Sequence, residues 1–183
     1  MKKTKNPVIQ HDIMRYKKNK LGANLALLGL VFGCVYFVVL YAQVKNGDYY
    51  YNWSLAFDVI YNLFFLLFVF LFSEQVKNYD RKLFILQIIV GALQIARIFW
   101  LPLGGITHTY IVGETEQTVI TIGTFITMTV ALACSGALII VSAITGYIRS
   151  KNVEKFTQEL ENGQINLDEE LRKEQPAGGE ANA

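Results

Sequence analysis

The sequence predicts an all-α integral membrane protein in which four transmembrane helices form a bundle and both chain ends lie in the cytoplasm. Two observations predict this fold: four long apolar runs, and basic residues that favour alternate loops between them. A hydrocarbon core about 30 Å thick needs roughly 20 apolar residues at a helical rise of about 1.5 Å. Because a backbone in lipid must satisfy its own hydrogen bonds, these runs are expected to be helices.

Each apolar run is long enough to cross a membrane. We place the spans at about residues 21–44, 53–73, 83–101 and 120–148. Asp58 and Arg97 are the only charged residues within these ranges. The last run is longer than a membrane is thick, so we expect it to tilt or to extend beyond the bilayer.

The distribution of Lys and Arg predicts the orientation. Most basic residues lie before the first span, in the loop between the second and third spans, or after the fourth span. They are Lys2, Lys3, Lys5, Arg15, Lys17, Lys18, Lys20, Lys77, Arg81, Lys82, Arg149, Lys151 and Lys155. In the other two loops, Lys45 is the only basic residue. The positive-inside rule therefore places both termini in the cytoplasm.

The predicted location is the cell membrane, and the usage of Lys, Asn, Ile and Tyr indicates the inner or plasma membrane of a bacterium. The lipid bilayer is therefore the first expected partner. The net charge of +2 follows from the membrane topology, whereas a nucleic-acid-binding surface would need a basic stripe on a folded domain. We expect no nucleic-acid partner.

Residues 1–20 are predicted to form a basic, amphipathic cytoplasmic arm. Asn6 as N-cap and Pro7 at the first helical position predict the start of a helix. Its apolar residues recur at helical spacing, at Ile9, Ile13 and Tyr16. This pattern is typical of a helix lying in the membrane interface, and equally of a basic arm that only sets topology. His11 lacks a ligand set, so we expect a solvated side chain.

Residues 149–183 are predicted to form a charged cytoplasmic tail. Apolar residues at helical spacing extend a helix as far as Gly163, and Asn166 followed by Glu169 resembles a capping box that starts a second, short helix. From about residue 176 we expect disorder. The helical pieces either dock on a soluble partner or fray, because isolated helices this short are marginal in water.

The loop before the fourth span alternates polar and apolar residues in places, which is compatible with a small hairpin with Gly113 and Glu114 in its turn but does not decide whether one forms. No ligand spacing supports a metal site, and we expect neither a metal nor a cofactor. Cys34 and Cys134 lie near mid-membrane without a CxxC spacing, so we expect no redox pair and no structural disulfide.

Five polar side chains within the spans predict an intramembrane polar cluster. Asp58 and Asn62 lie one turn apart on the second span, while Gln87, Gln94 and Arg97 share a broad face of the third. An ionisable group within a span is by default a candidate functional site.

Asp58 and Arg97 lie at matching depths. From the outer ends of their spans, they are about 7.5 Å and about 6 Å deep at the helical rise. Because a short loop joins these two spans, we expect the helices to be neighbours. Either the charges meet, with Asn62 and Gln94 adding hydrogen bonds, or each side chain extends separately to the nearby interface.

Small residues predict where the helices approach one another. Gly29 and Gly33 form a GxxxG pair in the first span, and Ser135 and Gly146 lie on a face of small residues in the fourth. We expect these surfaces to pack inside the monomer, since four spans offer enough partners.

The sequence predicts no enzyme, because it contains no HExxH, GxSxG, P-loop or Rossmann glycine motif. The leading hypothesis is an accessory subunit, scaffold or regulator of a larger membrane complex such as a transporter. The alternative is a small homo-oligomeric transporter or channel whose polar site is Asp58 and Arg97. The first is favoured because proton and ion relays usually show more intramembrane charges.

Overall fold

The computed structural model describes residues 6–44, 52–107, 109–112, 115–118 and 120–174. Helices dominate this part of the chain, and four of them are long and apolar enough to cross a membrane. The elements in chain order are α1 (Pro7–Tyr16), α2 (Lys20–Val44), α3 (Asn52–Lys77), α4 (Phe84–Ala96), a 3-10 turn (Arg97–Phe99), α5 (Leu101–Thr107), β1 (Thr109–Val112), β2 (Thr115–Thr118), α6 (Ile122–Glu161) and α7 (Leu167–Glu174). The prediction of a mainly helical protein with four membrane-compatible helices is confirmed.

Helix α6 is longer than the predicted fourth span of 120–148. It is a continuous helix of 40 residues, with no break at residue 149, where the sequence predicts the start of the tail. At about 1.5 Å per residue it is about 60 Å long, which is twice the thickness of a hydrocarbon core. The helix ends just before Gly163, as predicted, and the φ of +69° at Gly163 is one that glycine adopts without strain.

The third apolar segment runs from Phe84 to Thr107, beyond the predicted end at residue 101, and its helix is interrupted. The α-helical geometry ends at Ala96 and gives way to the 3-10 turn, and Trp100 leaves the helical region with φ −86° and ψ −95°. The helix resumes in α5, where Pro102 lacks a backbone N–H and so is tolerated in a first turn. The interruption therefore lies directly beside Arg97.

The arrangement of the helices differs from chain order. Helix α2 packs along α6 and along α3, and α4 packs mainly against α6. Helices α3 and α4 have few direct contacts, although a short loop joins them. The expectation that these two helices are neighbours is confirmed, but they meet mainly through side chains: Val90 of α4 belongs to the same buried cluster as Phe65 and Phe72 of α3.

Glycines allow the closest approaches. A Cβ atom on Gly29 would lie 3.0 Å from the carbonyl oxygen of Ser135 in α6, and one on Gly136 would lie 2.5 Å from that of Gly91 in α4. Gly33, by contrast, faces Phe65 in α3, so the two glycines of the GxxxG pair contact different helices. All of these contacts lie within one chain.

The outer faces of the four long helices are apolar. Several large side chains along α3 are more than half exposed, namely Phe57, Leu63, Phe64, Leu67 and Phe70. A continuous apolar surface of this kind is typical of helices that face lipid.

A two-stranded hairpin precedes α6, which decides a question that the sequence left open. Strand β1 pairs antiparallel with β2, and the register places Thr109 opposite Thr118 and Val112 opposite Thr115. The predicted turn residues, Gly113 and Glu114, lie outside the described residues.

The arm and the tail pack together. Asn6 caps α1 by accepting a hydrogen bond from Val8, and it donates to Glu170 and Glu174 of α7 at 2.7 and 2.8 Å. The ring of His11 meets Phe156 of α6 edge to face at 5.8 Å. His11 is therefore partly rather than fully solvated, because the end of α6 supplies an aromatic partner. The predicted disorder from residue 176 lies outside the described residues.

Candidate functional site

The two charged residues of the apolar segments meet between α3 and the 3-10 turn. The Arg97 Nη2 atom lies 2.5 Å from the Asp58 Oδ1 atom, and both side chains are less than a tenth exposed. Of the two predicted outcomes, the structure has the paired one rather than separate extension to the interface.

Two amides add hydrogen bonds to this pair, whereas the buried Arg97 Nε atom has no hydrogen-bond partner among the described residues. Arg97 Nη1 donates to Asn62 Oδ1 at 3.1 Å and to Gln94 Oε1 at 3.0 Å. Asn62 Nδ2 donates in turn to Asp58 Oδ2 at 3.0 Å, which closes a ring of three side chains. Charge-assisted bonds of this kind are what a desolvated ion pair needs to offset the loss of water. The expected contributions of Asn62 and Gln94 are present.

Two tyrosines complete the site, and the sequence analysis missed both. The Arg97 guanidinium carbon lies 4.6 Å from the ring centre of Tyr36 and 4.3 Å from that of Tyr61, within cation–π range. The Tyr36 hydroxyl also donates to Asp58 Oδ2 at 3.3 Å. Tyr61 lies three residues after Asp58, a spacing that could have identified it; Tyr36 lies on α2, and no local signal connects it to the pair.

Gln94 links the pair to the packing of α6 on α2. Its Nε2 atom donates to Ser135 Oγ at 3.4 Å, and that hydroxyl donates to the carbonyl oxygen of Gly29 at 2.6 Å. Polar contacts therefore run from Asp58 on α3 through Arg97 and Gln94 to α6 and α2. All four long apolar segments contribute to this network.

Gln87 does not belong to the cluster, contrary to the prediction. It donates to Ser142 Oγ at 3.1 Å, and Ser142 donates to the Gly22 carbonyl oxygen at 2.7 Å. Gln87 precedes Arg97 by ten residues, which is about 15 Å along a helix. It forms a second, separate contact between α4, α6 and α2. Gly146, nearby on α6, packs against Val76 of α3.

A groove lies against the ion pair, between α3 and the 3-10 turn with Trp100. Its volume is about 340 Å³, and Asp58, Tyr61 and Arg97 contribute its polar wall. The remaining walls are apolar and include Phe57 and Trp100. Such a shape suits an apolar molecule more than a hydrated ion, because water would have few partners in it.

The residues that the structure describes contain no group of three His, Cys, Asp or Glu side chains that could hold a metal ion. Cys34 and Cys134 are both free and partly buried. Acid–base chemistry at Asp58 would require breaking its contact with Arg97. The arrangement therefore suits the joining of helices better than catalysis.

Comparisons of the chain with protein-family models, with curated proteins and with solved structures gave no match. The residues and geometry described above are what support a function.

Proposed function

We propose that the chain is a multi-pass protein of the cell membrane with both termini in the cytoplasm. Four apolar helices of sufficient length, their exposed apolar faces and the concentration of Lys and Arg at one end support this proposal. On this topology α1, α7 and the charged end of α6 lie together in the cytoplasm.

Labelling with a membrane-impermeant thiol reagent tests the topology. In intact cells, cysteines at positions 46 and 113 (Asn46→Cys and Gly113→Cys) should react, and Asn78→Cys should react only after permeabilisation. Cys34→Ser and Cys134→Ser provide the background. Reaction of Asn78→Cys in sealed cells would contradict the proposed orientation.

Within this membrane protein we propose a non-enzymatic role as an accessory subunit, scaffold or regulator of a larger complex such as a transporter. The observation that carries this proposal is that the intramembrane charges bind one another inside the monomer. Asp58 and Arg97 join helices, while α1 and α7 form a charged helical unit at the cytoplasmic end. That unit is a natural place for a partner to bind.

Gentle detergent extraction followed by mass spectrometry of co-purifying proteins tests this role. We expect one partner at a fixed ratio, lost when residues 162–183 are deleted and retained in Gln117→Ala, which changes the opposite end of the molecule. Reciprocal tagging of the partner should recover this chain. A pure homo-oligomer in both preparations would contradict the proposal.

A second role, a small homo-oligomeric transporter or channel, is supported by one observation. The groove beside Asp58 and Arg97 gives a molecule of about 340 Å³ access to the two charges within the predicted spans. Thermal stabilisation of a homo-oligomer by a transported compound, abolished by Ile60→Trp in the groove wall, would favour this role.

A further inference from the structure

A basic pocket lies at the cytoplasmic end of the bundle, away from the Asp58–Arg97 site. Its volume is about 440 Å³, it is open to the surface, and it is lined by residues of α1, the segment before α2, the turn after α3, and α6. Three of its lining residues are cationic, namely Lys17, Lys18 and Arg149, and none is acidic.

The pocket lies where the apolar helices give way to charged sequence. Helix α2 begins at Lys20, α3 ends at Lys77, and Arg149 follows the apolar part of α6. Buried Asn19 ties these ends together: its backbone N–H donates to the Lys77 carbonyl oxygen at 2.9 Å, and its Oδ1 atom accepts from Arg149 at 2.8 Å. On the proposed topology, this is the level of the phospholipid headgroups.

Among the described residues, no carboxylate pairs with the cations of the pocket. The carboxylates nearest in sequence have cations of their own, in the pairs Asp12–Arg15, Glu74–Lys77 and Asp80–Lys82. No ion pair among the described residues includes Lys17, Lys18 or Arg149. The pocket therefore presents net positive charge at the expected membrane surface.

Tyr79 forms part of the wall in a conformation that its residue type disfavours. It follows α3 with φ 59°, and the bonds from Tyr79 N–H to Val76 and from Asp80 N–H to Gln75 form a Schellman motif, in which glycine is usual. The Ser150 hydroxyl donates a hydrogen bond to the Tyr79 carbonyl oxygen at 2.6 Å. Burial raises the pKa of the Tyr79 phenol although Arg149 opposes the change, so the hydroxyl stays protonated and can donate.

We propose that this pocket binds the phosphate headgroup of an anionic phospholipid of the cytoplasmic leaflet. Lys17, Lys18 and Arg149 supply the charge, and Tyr79 supplies a neutral donor. Ile13 and Met14 line the same pocket and suit the glycerol and first acyl carbons, which favours a lipid over free phosphate. Basic pockets between helices on the cytoplasmic side are suited to such headgroups. The proposal rests on the proposed membrane topology.

Binding of a fluorescent phosphatidylglycerol to the full chain in neutral detergent micelles tests it. The wild type should bind saturably and prefer phosphatidylglycerol over phosphatidylcholine. Lys17→Gln/Lys18→Gln should weaken binding about 25-fold, since each of the two charges near the surface is worth about fivefold. The control Lys151→Gln/Lys155→Gln, which removes the same charge from exposed sites on α6, should change affinity less than twofold.

Equal losses in the two double variants would overturn the pocket in favour of general electrostatic attraction. Competition by millimolar inorganic phosphate as effective as by unlabelled phosphatidylglycerol would overturn the lipid assignment. Tyr79→Phe, which keeps the ring, should weaken binding about threefold, and an unchanged affinity would remove the hydroxyl from the site. Binding in micelles does not depend on orientation, so failure here is distinct from failure of the thiol-labelling or co-purification experiments.

Discussion

The Arg97 Nη2 atom lies 2.5 Å from the Asp58 Oδ1 atom. Asp58 lies on α3 and Arg97 directly follows α4, and the backbones of these two helices make few contacts. Side chains make most of the contact between α3 and α4, whereas α3 packs closely along α2. The guanidinium lies near two tyrosine rings and donates to two amides, so it has partners on α2, α3 and α4. This geometry makes the pair a structural link whose loss has measurable consequences.

Neutralising one member of the pair should be more damaging than neutralising both. Asp58→Asn or Arg97→Gln alone should lower the free energy of unfolding by about 3–5 kcal/mol, because each leaves a buried unpaired charge. The double variant should recover much of that loss. Unfolding in mixed micelles by SDS titration measures all four proteins.

Gln87 provides the control for this cycle, because it belongs to a separate contact. The effects of Asp58→Asn and Gln87→Leu should add to within about 0.5 kcal/mol. Additive losses for Asp58 and Arg97 themselves would mean that the two residues do not interact.

The two tyrosines at the site should respond differently to loss of their hydroxyls. Tyr36→Phe should cost about 1 kcal/mol of unfolding free energy, because its hydroxyl donates to Asp58. Tyr61→Phe should be neutral or slightly stabilising, since its buried hydroxyl has no hydrogen-bond partner among the described residues. Both variants keep the ring near Arg97, so each serves as the other's control. Equal losses would contradict the assigned bonding.

Tyr79→Gly should stabilise the fold while weakening lipid binding. The left-handed conformation costs a bulky residue about 1–2 kcal/mol, which glycine does not incur. We expect a gain of about 1 kcal/mol in unfolding free energy together with loss of phosphatidylglycerol affinity. Asn78→Gly, at the preceding position without positive φ, should instead lower stability by about 0.5–1 kcal/mol. A destabilised Tyr79→Gly would show that packing of the ring outweighs backbone strain.

Two glycines in long helices should tolerate alanine to very different degrees. Gly29→Ala should cost about 1–3 kcal/mol, because the added methyl group would meet Ser135 and Ile139 of α6 at about 3 Å. Gly123→Ala has open space around it and should be neutral or stabilising by up to about 1 kcal/mol, as alanine favours helices. Melting temperatures in one detergent compare them. Similar losses would contradict the close approach of α2 and α6.

The sequence by itself determined the helices and much of the polar site. Apolar length predicted four membrane-compatible helices, and the signals at Asn6 and Gly163 located helix ends, because capping and burial are properties of nearby residues. Matching depths brought Asp58 and Arg97 to one level. The participation of Asn62 and Gln94 followed from their positions about one helical turn from Asp58 and Arg97.

Only the tertiary structure decided which helices meet. That α6 packs along α2, that Tyr36 reaches Asp58, that Gln87 stands apart and that α1 joins α7 all depend on contacts between distant segments. Such contacts are set by the fit of whole helix surfaces, where small residues such as Gly29 and Gly91 allow close approach only if the facing helix is also suited to it. Local spacing along one helix carries no information about the surface opposite.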